Sequence, residues 1–158
     1  RPLALGEHLD CELFAGAYVR QQALKAILWR RVVDGGMAGA IVWFWGGLDG
    51  RGLHAWGEAS RGMARFEDIL LSHEPAHLSN ACRGLPPDDV AVRQRGRDTI
   101  LVLFNDAQGA EKPFTLTLPV GMRFRVHDYY KEHSAEASGT WAGTIPGNDV
   151  AVLLLNQL

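Results

Sequence analysis

The chain is poor in the features that mark several common functional classes. Its 158 residues contain two cysteines, Cys11 and Cys82. At most one disulfide can form, with free buried thiols as the other reading, and a disulfide-stapled scaffold is excluded. Charge is nearly balanced at a formal net −2, which supplies no electrostatic basis for binding nucleic acid or an anionic membrane surface. The longest apolar runs, residues 38–45 and 150–155, fall far short of the ~20 residues that cross a bilayer as a helix. The glycine-rich stretch Gly46-Gly47-Leu48-Asp49-Gly50-Arg51-Gly52 lacks the Gly-Lys-Ser/Thr ending of a phosphate loop, so it reads as a loop between elements and no nucleotide cofactor is expected.

One motif points to metal chemistry and then withdraws it. His73-Glu74-Pro75-Ala76-His77 spells H-E-x-x-H, which in zinc hydrolases puts two histidines one helical turn apart. That geometry needs a continuous helix. Pro75 removes a backbone donor and clashes with the preceding turn, so residues 73–89, which also hold Pro86 and Pro87, read as an irregular linker and no metal is expected.

What is present suits a folded core, with 47% hydrophobic and 22% charged residues. Residues 2–7 read as a short apolar strand ending in Glu7, and residues 38–45 as a second one ending in tryptophans. Between them residues 14–33 read as a helix, with Leu13, Ala17, Leu24, Ile27, Leu28 and Val32 along one stripe and Gly35-Gly36 as its stop. A strand, a helix and a strand in that order imply a parallel crossover. Side chains alternate along a strand, so Leu3, Leu5 and Glu7 share one face, and Ile41, Trp43 and Trp45 share one face of the other strand. A carboxylate and two indoles at neighbouring strand ends suit a site that cleaves sugars, where a carboxylate works beside an aromatic platform. The other reading of the same residues is a glutamate opening a solvated loop and tryptophans filling core. A further helix is expected over residues 58–71, with Ala59, Met63, Phe66 and Leu70 inward.

After residue 90 the hydrophobic period changes to two. Strands are expected at residues 90–93, 99–105, 114–118, 123–128, 139–144 and 150–155, separated by turns such as Arg95-Gly96-Arg97-Asp98 and Pro146-Gly147-Asn148-Asp149. Short strands at this spacing indicate an antiparallel β-sandwich. His127, Tyr129 and Tyr130 fall in it and read as core or surface.

The run Pro2-Leu3-Ala4-Leu5-Gly6-Glu7, followed by Gly39-Ala40-Ile41-Val42-Trp43, resembles the seventh and eighth βα units of the clan A glycoside hydrolases, the cellulase, β-mannanase and β-galactosidase-like enzymes on (β/α)8 TIM barrels. The later strands are similar to the C-terminal β-sandwich of such enzymes. The resemblance implies an α/β plus all-β chain: the last two barrel units over residues 1–72, a linker over 73–89 and a sandwich over 90–158. It implies a retaining hydrolase of β-glycosides in oligo- or polysaccharides, with Glu7 as nucleophile and Trp43 as the sugar-binding floor, Trp45 its fallback. His8, Asp49 and Trp56 are expected to bind substrate around them, with Asp10, Arg51 and His54 as weaker candidates beside solvated side chains. The partners implied are a carbohydrate substrate and an N-terminal barrel portion, because two strands cannot close an eight-stranded barrel. The acid/base glutamate is then expected upstream of Arg1, and the chain is expected to be an inactive piece by itself. The competing class is a non-catalytic carbohydrate-binding or structural sandwich module.

Overall fold

The structure, a computed structural model, describes residues 23–35, 50–78 and 80–158. Contacts divide the chain into two compact units, Arg1–Met63 and Ala64–Leu158. The strands expected at residues 2–7 and 38–45, with Glu7, His8, Trp43, Trp45 and Asp49, lie outside the described residues.

In the first unit, helix α1 covers Leu24–Gly35 and ends at the expected glycine stop. Leu24, Ala26, Leu28, Trp29 and Val33 are buried, whereas Ile27 and Val32 are half-buried. At 100° per residue the buried set spreads over about half the circumference, wider than the single stripe expected. Helix α2 covers Gly50–Arg65 and starts eight residues before the expected position. Gly50, Gly52 and Gly57 lower helix propensity, which is why this segment reads as loop. Its buried positions account for two glycines: Gly52, Ala59 and Gly62 lie seven and three residues apart, a small-residue face that permits close packing, whereas Gly50 and Gly57 have open space around them. Lys25 Nζ of α1 meets Glu58 Oε2 of α2 at 3.6 Å, which ties the two helices together.

The second unit begins with a break at Phe66 and a short helix α3, Glu67–Leu70. Eight strands follow: β1 Cys82–Arg83, β2 Val90–Arg95, β3 Asp98–Asn105, β4 Lys112–Thr117, β5 Phe124–Asp128, β6 His133–Ala137, β7 Thr140–Ile145 and β8 Asp149–Gln157. They form a three-stranded sheet in the order β1-β4-β7 and a five-stranded sheet in the order β2-β3-β8-β5-β6, and every pairing is antiparallel. This is the expected sandwich, with β1 and β6 added to the six strands legible in the sequence.

Both sheets feed one core, in which Leu101, Leu103, Leu153 and Leu155 of the five-stranded sheet meet Phe114, Leu116 and Ile145 of the other. Cross-strand register places Ile100, Val102, Phe104, Val150 and Val152 on the opposite face of the five-stranded sheet, and these too are buried. Helix α3 lies against β2 and β3. Phe66 packs edge-on to Tyr129 at 5.2 Å between ring centroids, and Tyr129 does the same to Tyr130 at 5.0 Å. The aromatic chain thus links the α3 segment to the end of β5.

Two buried polar side chains pin the ends of the sandwich. Asn105 Nδ2 donates to the carbonyls of Ala110, Ile145 and Pro146 at 2.8, 3.0 and 3.1 Å, while its Oδ1 accepts from Ala107 N at 3.1 Å. Gly147 sits against the same loop, where an added Cβ would lie 2.7 Å from Ala107 O and from Gly109 N. Asp128 accepts from Lys131 N at 3.2 Å, and Lys131 Nζ donates to Thr144 O of the other sheet at 2.7 Å.

Candidate functional site

Of the residues singled out in the sequence for substrate binding, Trp56 falls within the described part. It stands on α2, half-buried, rather than in a glycine-rich loop, and Arg51 and His54 share that helix as exposed residues. His54 Nε2 lies 3.4 Å from Glu58 Oε1, so Glu58 sits between His54 and Lys25. The Lys25 and Glu58 side chains are 12% and 30% exposed.

The H-E-x-x-H segment is not helical, in keeping with Pro75 at its centre: Glu74 is a bridge residue and His77 lies in a turn. Glu74 forms an isolated antiparallel bridge with Gln94 of β2, and its Oε2 accepts from Gly96 N at 2.7 Å. His77 N donates to Gln94 Oε1 at 2.9 Å. The glutamate that would activate water in a zinc enzyme therefore caps a hairpin turn. Among the described residues no group of three metal-ligating side chains converges.

In the sandwich, His127 Nδ1 and Ser134 Oγ are 2.8 Å apart on adjacent strands, an ordinary cross-strand pair on an exposed surface. Cys82 carries a free thiol, and burial pushes its pKa up to about 11, which leaves it protonated and unreactive near neutrality. A groove of about 380 Å³ runs between α3 and the β2–β3 hairpin, floored by Phe66, Ile69 and Leu154. Arg95 Nη1 and Asp68 Oδ2, 2.9 Å apart, form an ion pair on its wall, and Asn156 Nδ2 donates to Asp98 Oδ1 at 2.6 Å beside it. Neither the Arg95–Asp68 pair nor the Asn156–Asp98 contact was a candidate in the sequence, because each joins residues more than 20 positions apart.

Every Phe, Tyr and Trp side chain among the described residues is buried or half-buried, with Trp56, Tyr129, Tyr130 and Trp141 in the half-buried group. The exposed large apolar residues, such as Val120, Leu71 and Met122, are aliphatic.

No family model matches the sequence, and no curated protein does. The fold, however, is similar to that of solved sugar-cleaving enzymes. An isomalto-dextranase from Arthrobacter globiformis T6, solved with panose, aligns with a TM-score of 0.58 over 87% of this chain at 15% identity. A GH27 β-L-arabinopyranosidase from Geobacillus stearothermophilus, solved with arabinose, aligns at 0.57 over 86% with 8% identity. An α-galactosidase I from Mortierella vinacea aligns at 0.57 over 90% with 12% identity. This chain spans 24%, 30% and 36% of those three chains respectively.

Proposed function

We propose that this chain is the C-terminal portion of a retaining glycoside hydrolase, with residues 1–72 contributing to its catalytic barrel and the sandwich serving as a support domain. One observation carries the reading: solved structures that share this fold over most of the chain bear the names of sugar-cleaving enzymes. The residue resemblance around Glu7 and Trp43 adds the mechanism. Those neighbours include an α-galactosidase and a β-L-arabinopyranosidase, so a preference for β-linked substrates rests on the residue resemblance alone.

In this mechanism Glu7, ionised, attacks the anomeric carbon while an acid/base carboxyl about 5–5.5 Å away protonates the departing oxygen; water then releases the glycosyl-enzyme. Trp43 stacks on the apolar face of the sugar ring, and Trp45, His8, Asp49 and Trp56 line the surrounding subsites. No metal or organic cofactor takes part.

The test is Glu7→Gly in the full-length enzyme, assayed on an activated aryl β-glycoside with and without azide. Hydrolysis is expected to fall by several orders of magnitude and azide to restore turnover, giving the α-glycosyl azide after a single displacement. Near-native turnover without azide removes Glu7 from the nucleophile role. A β-glycosyl azide reassigns it as the acid/base.

A further inference from the structure

The two edges of the five-stranded sheet are treated differently. At one edge β6 reads His-Ser-Ala-Glu-Ala, and His133, Ser134 and Glu136 are exposed. Polar and charged side chains of this kind discourage another strand from adding. At the other edge β2 starts Val90-Ala91-Val92, without the charged side chains that blunt β6, and the Arg93 guanidinium already takes the carbonyl of Val92 at 3.0 Å; the rest of an edge strand's outer backbone is a template for strand addition.

Residues 74–77 meet that second edge at its hairpin end, Gln94 to Gly96. Glu74 bridges Gln94, Glu74 Oε2 accepts from Gly96 N, and His77 N donates to Gln94 Oε1. Gln94 Nε2 completes the clasp by donating to Gly96 O at 3.1 Å. Gly96 holds φ +59 at the first central position of a two-residue hairpin turn, a conformation that glycine adopts without strain. Its amide is turned outward to the carboxylate. The bond from an amide to an ionised carboxylate is stronger than one to a neutral acceptor. Next to the pin stands Pro75, exposed, which has no N–H to offer and so stops the sheet from growing past the strap.

We propose that residues 72–77 are a strap that seals the β2 edge against strand addition by a second copy of this chain, with Glu74 as its pin. The H-E-x-x-H segment then has a defined role, one that needs its glutamate and its proline and neither histidine ring.

The test compares the unaltered full chain with Glu74→Ala and Glu74→Gln by amide hydrogen exchange and by sedimentation velocity over a concentration series. Glu74 is exposed, so both variants are expected to keep the near-ultraviolet circular dichroism of the sandwich. Glu74→Ala is expected to speed exchange at Gly96 about tenfold and to raise the dimer fraction, with protection of β2 amides returning as concentration increases. Glu74→Gln, which retains an acceptor oxygen, is expected to stay near the unaltered chain. Gln94→Ala, which removes the other half of the clasp, is expected to follow Glu74→Ala. Native exchange at Gly96 in Glu74→Ala overturns the pin. Faster exchange with unchanged sedimentation, or a dimer that leaves β2 amides unprotected, overturns the seal.

Discussion

Strands β4 and β3 bury themselves in different ways. Along β4, Phe114 and Leu116 point into the core while Pro113 and Thr117 are exposed. Along β3, seven consecutive residues from Thr99 to Asn105 are at most 4% exposed. Strand β8, paired along the whole of β3, repeats the pattern with Val150, Ala151, Val152 and Leu153 all buried. One sheet thus has a dry face and a wet face, whereas the other is dry on both sides at its centre. The difference is written in the sequence as Phe-Thr-Leu-Thr against Ile-Leu-Val-Leu-Phe. Alternation marks a strand that keeps one side in water, and an unbroken apolar run marks one that keeps neither.

If both faces of β3 are equally dry, truncation on either face should be equally damaging. Phe104→Ala, on the face away from the shared core, is expected to destabilise the sandwich by about 3–5 kcal/mol, as much as a truncation inside a protein core. Native-state hydrogen exchange at β3 and β8 amides reads the loss, because those amides open only when the sandwich does. A loss below about 1 kcal/mol would mean that this face is not packed like an interior, and the contrast between the sheets would fail.

Asn105 sharpens the comparison at the point where the two sheets are joined. It ends the dry strand β3, is itself fully buried, and holds the carbonyl of Ile145 at the end of the wet sheet's β7. Asn105→Ala leaves those acceptors without their donor, and a loss of about 1–3 kcal/mol is expected. Protection should fall at the amides of both sheets together. A drop confined to the turn after β3 would show that the side chain orders only its own loop.

Most of the sandwich was legible because its strands obey these two patterns. All six strands expected after residue 90 are present, with ends shifted by up to two residues. β6 was not legible because the alternation of Ser134-Ala135-Glu136-Ala137 rests on two alanines, which are weak strand formers, and no β-branched residue supports it; it is held by pairing with β5. β1 was hidden because two residues carry no period. The start of α2 was misread because Gly50, Gly52 and Gly57 look like a turn, although Gly52 is buried in the helix and Gly50 and Gly57 are tolerated in it. The candidate site was less legible than the fold. Pro75 was enough to read the segment as non-helical, but the partner that gives Glu74 its role, Gly96, is 22 residues away, and no local rule connects them. Glu7, Trp43 and Trp45 stand outside the described residues, so their roles remain those proposed from the residue pattern.

The finest test of the difference between the sheets is a pair of reciprocal substitutions that barely change volume. Valine and threonine have the same shape, but only threonine carries a hydroxyl that must find a partner or water. Val152 is 0% exposed on the dry outer face of β8, so Val152→Thr buries that hydroxyl and is expected to cost about 1–3 kcal/mol. Thr117 is exposed on the wet face of β4 and paired with Thr140. Thr117→Val there keeps the β-branch that strands favour and strands no polar group, so a change within about 0.5 kcal/mol is expected by the same exchange measurement. If instead Thr117→Val is as harmful as Val152→Thr, the hydroxyl of Thr117 is answering a buried partner, and the outer face of the three-stranded sheet is not the solvated surface that its alternation implies.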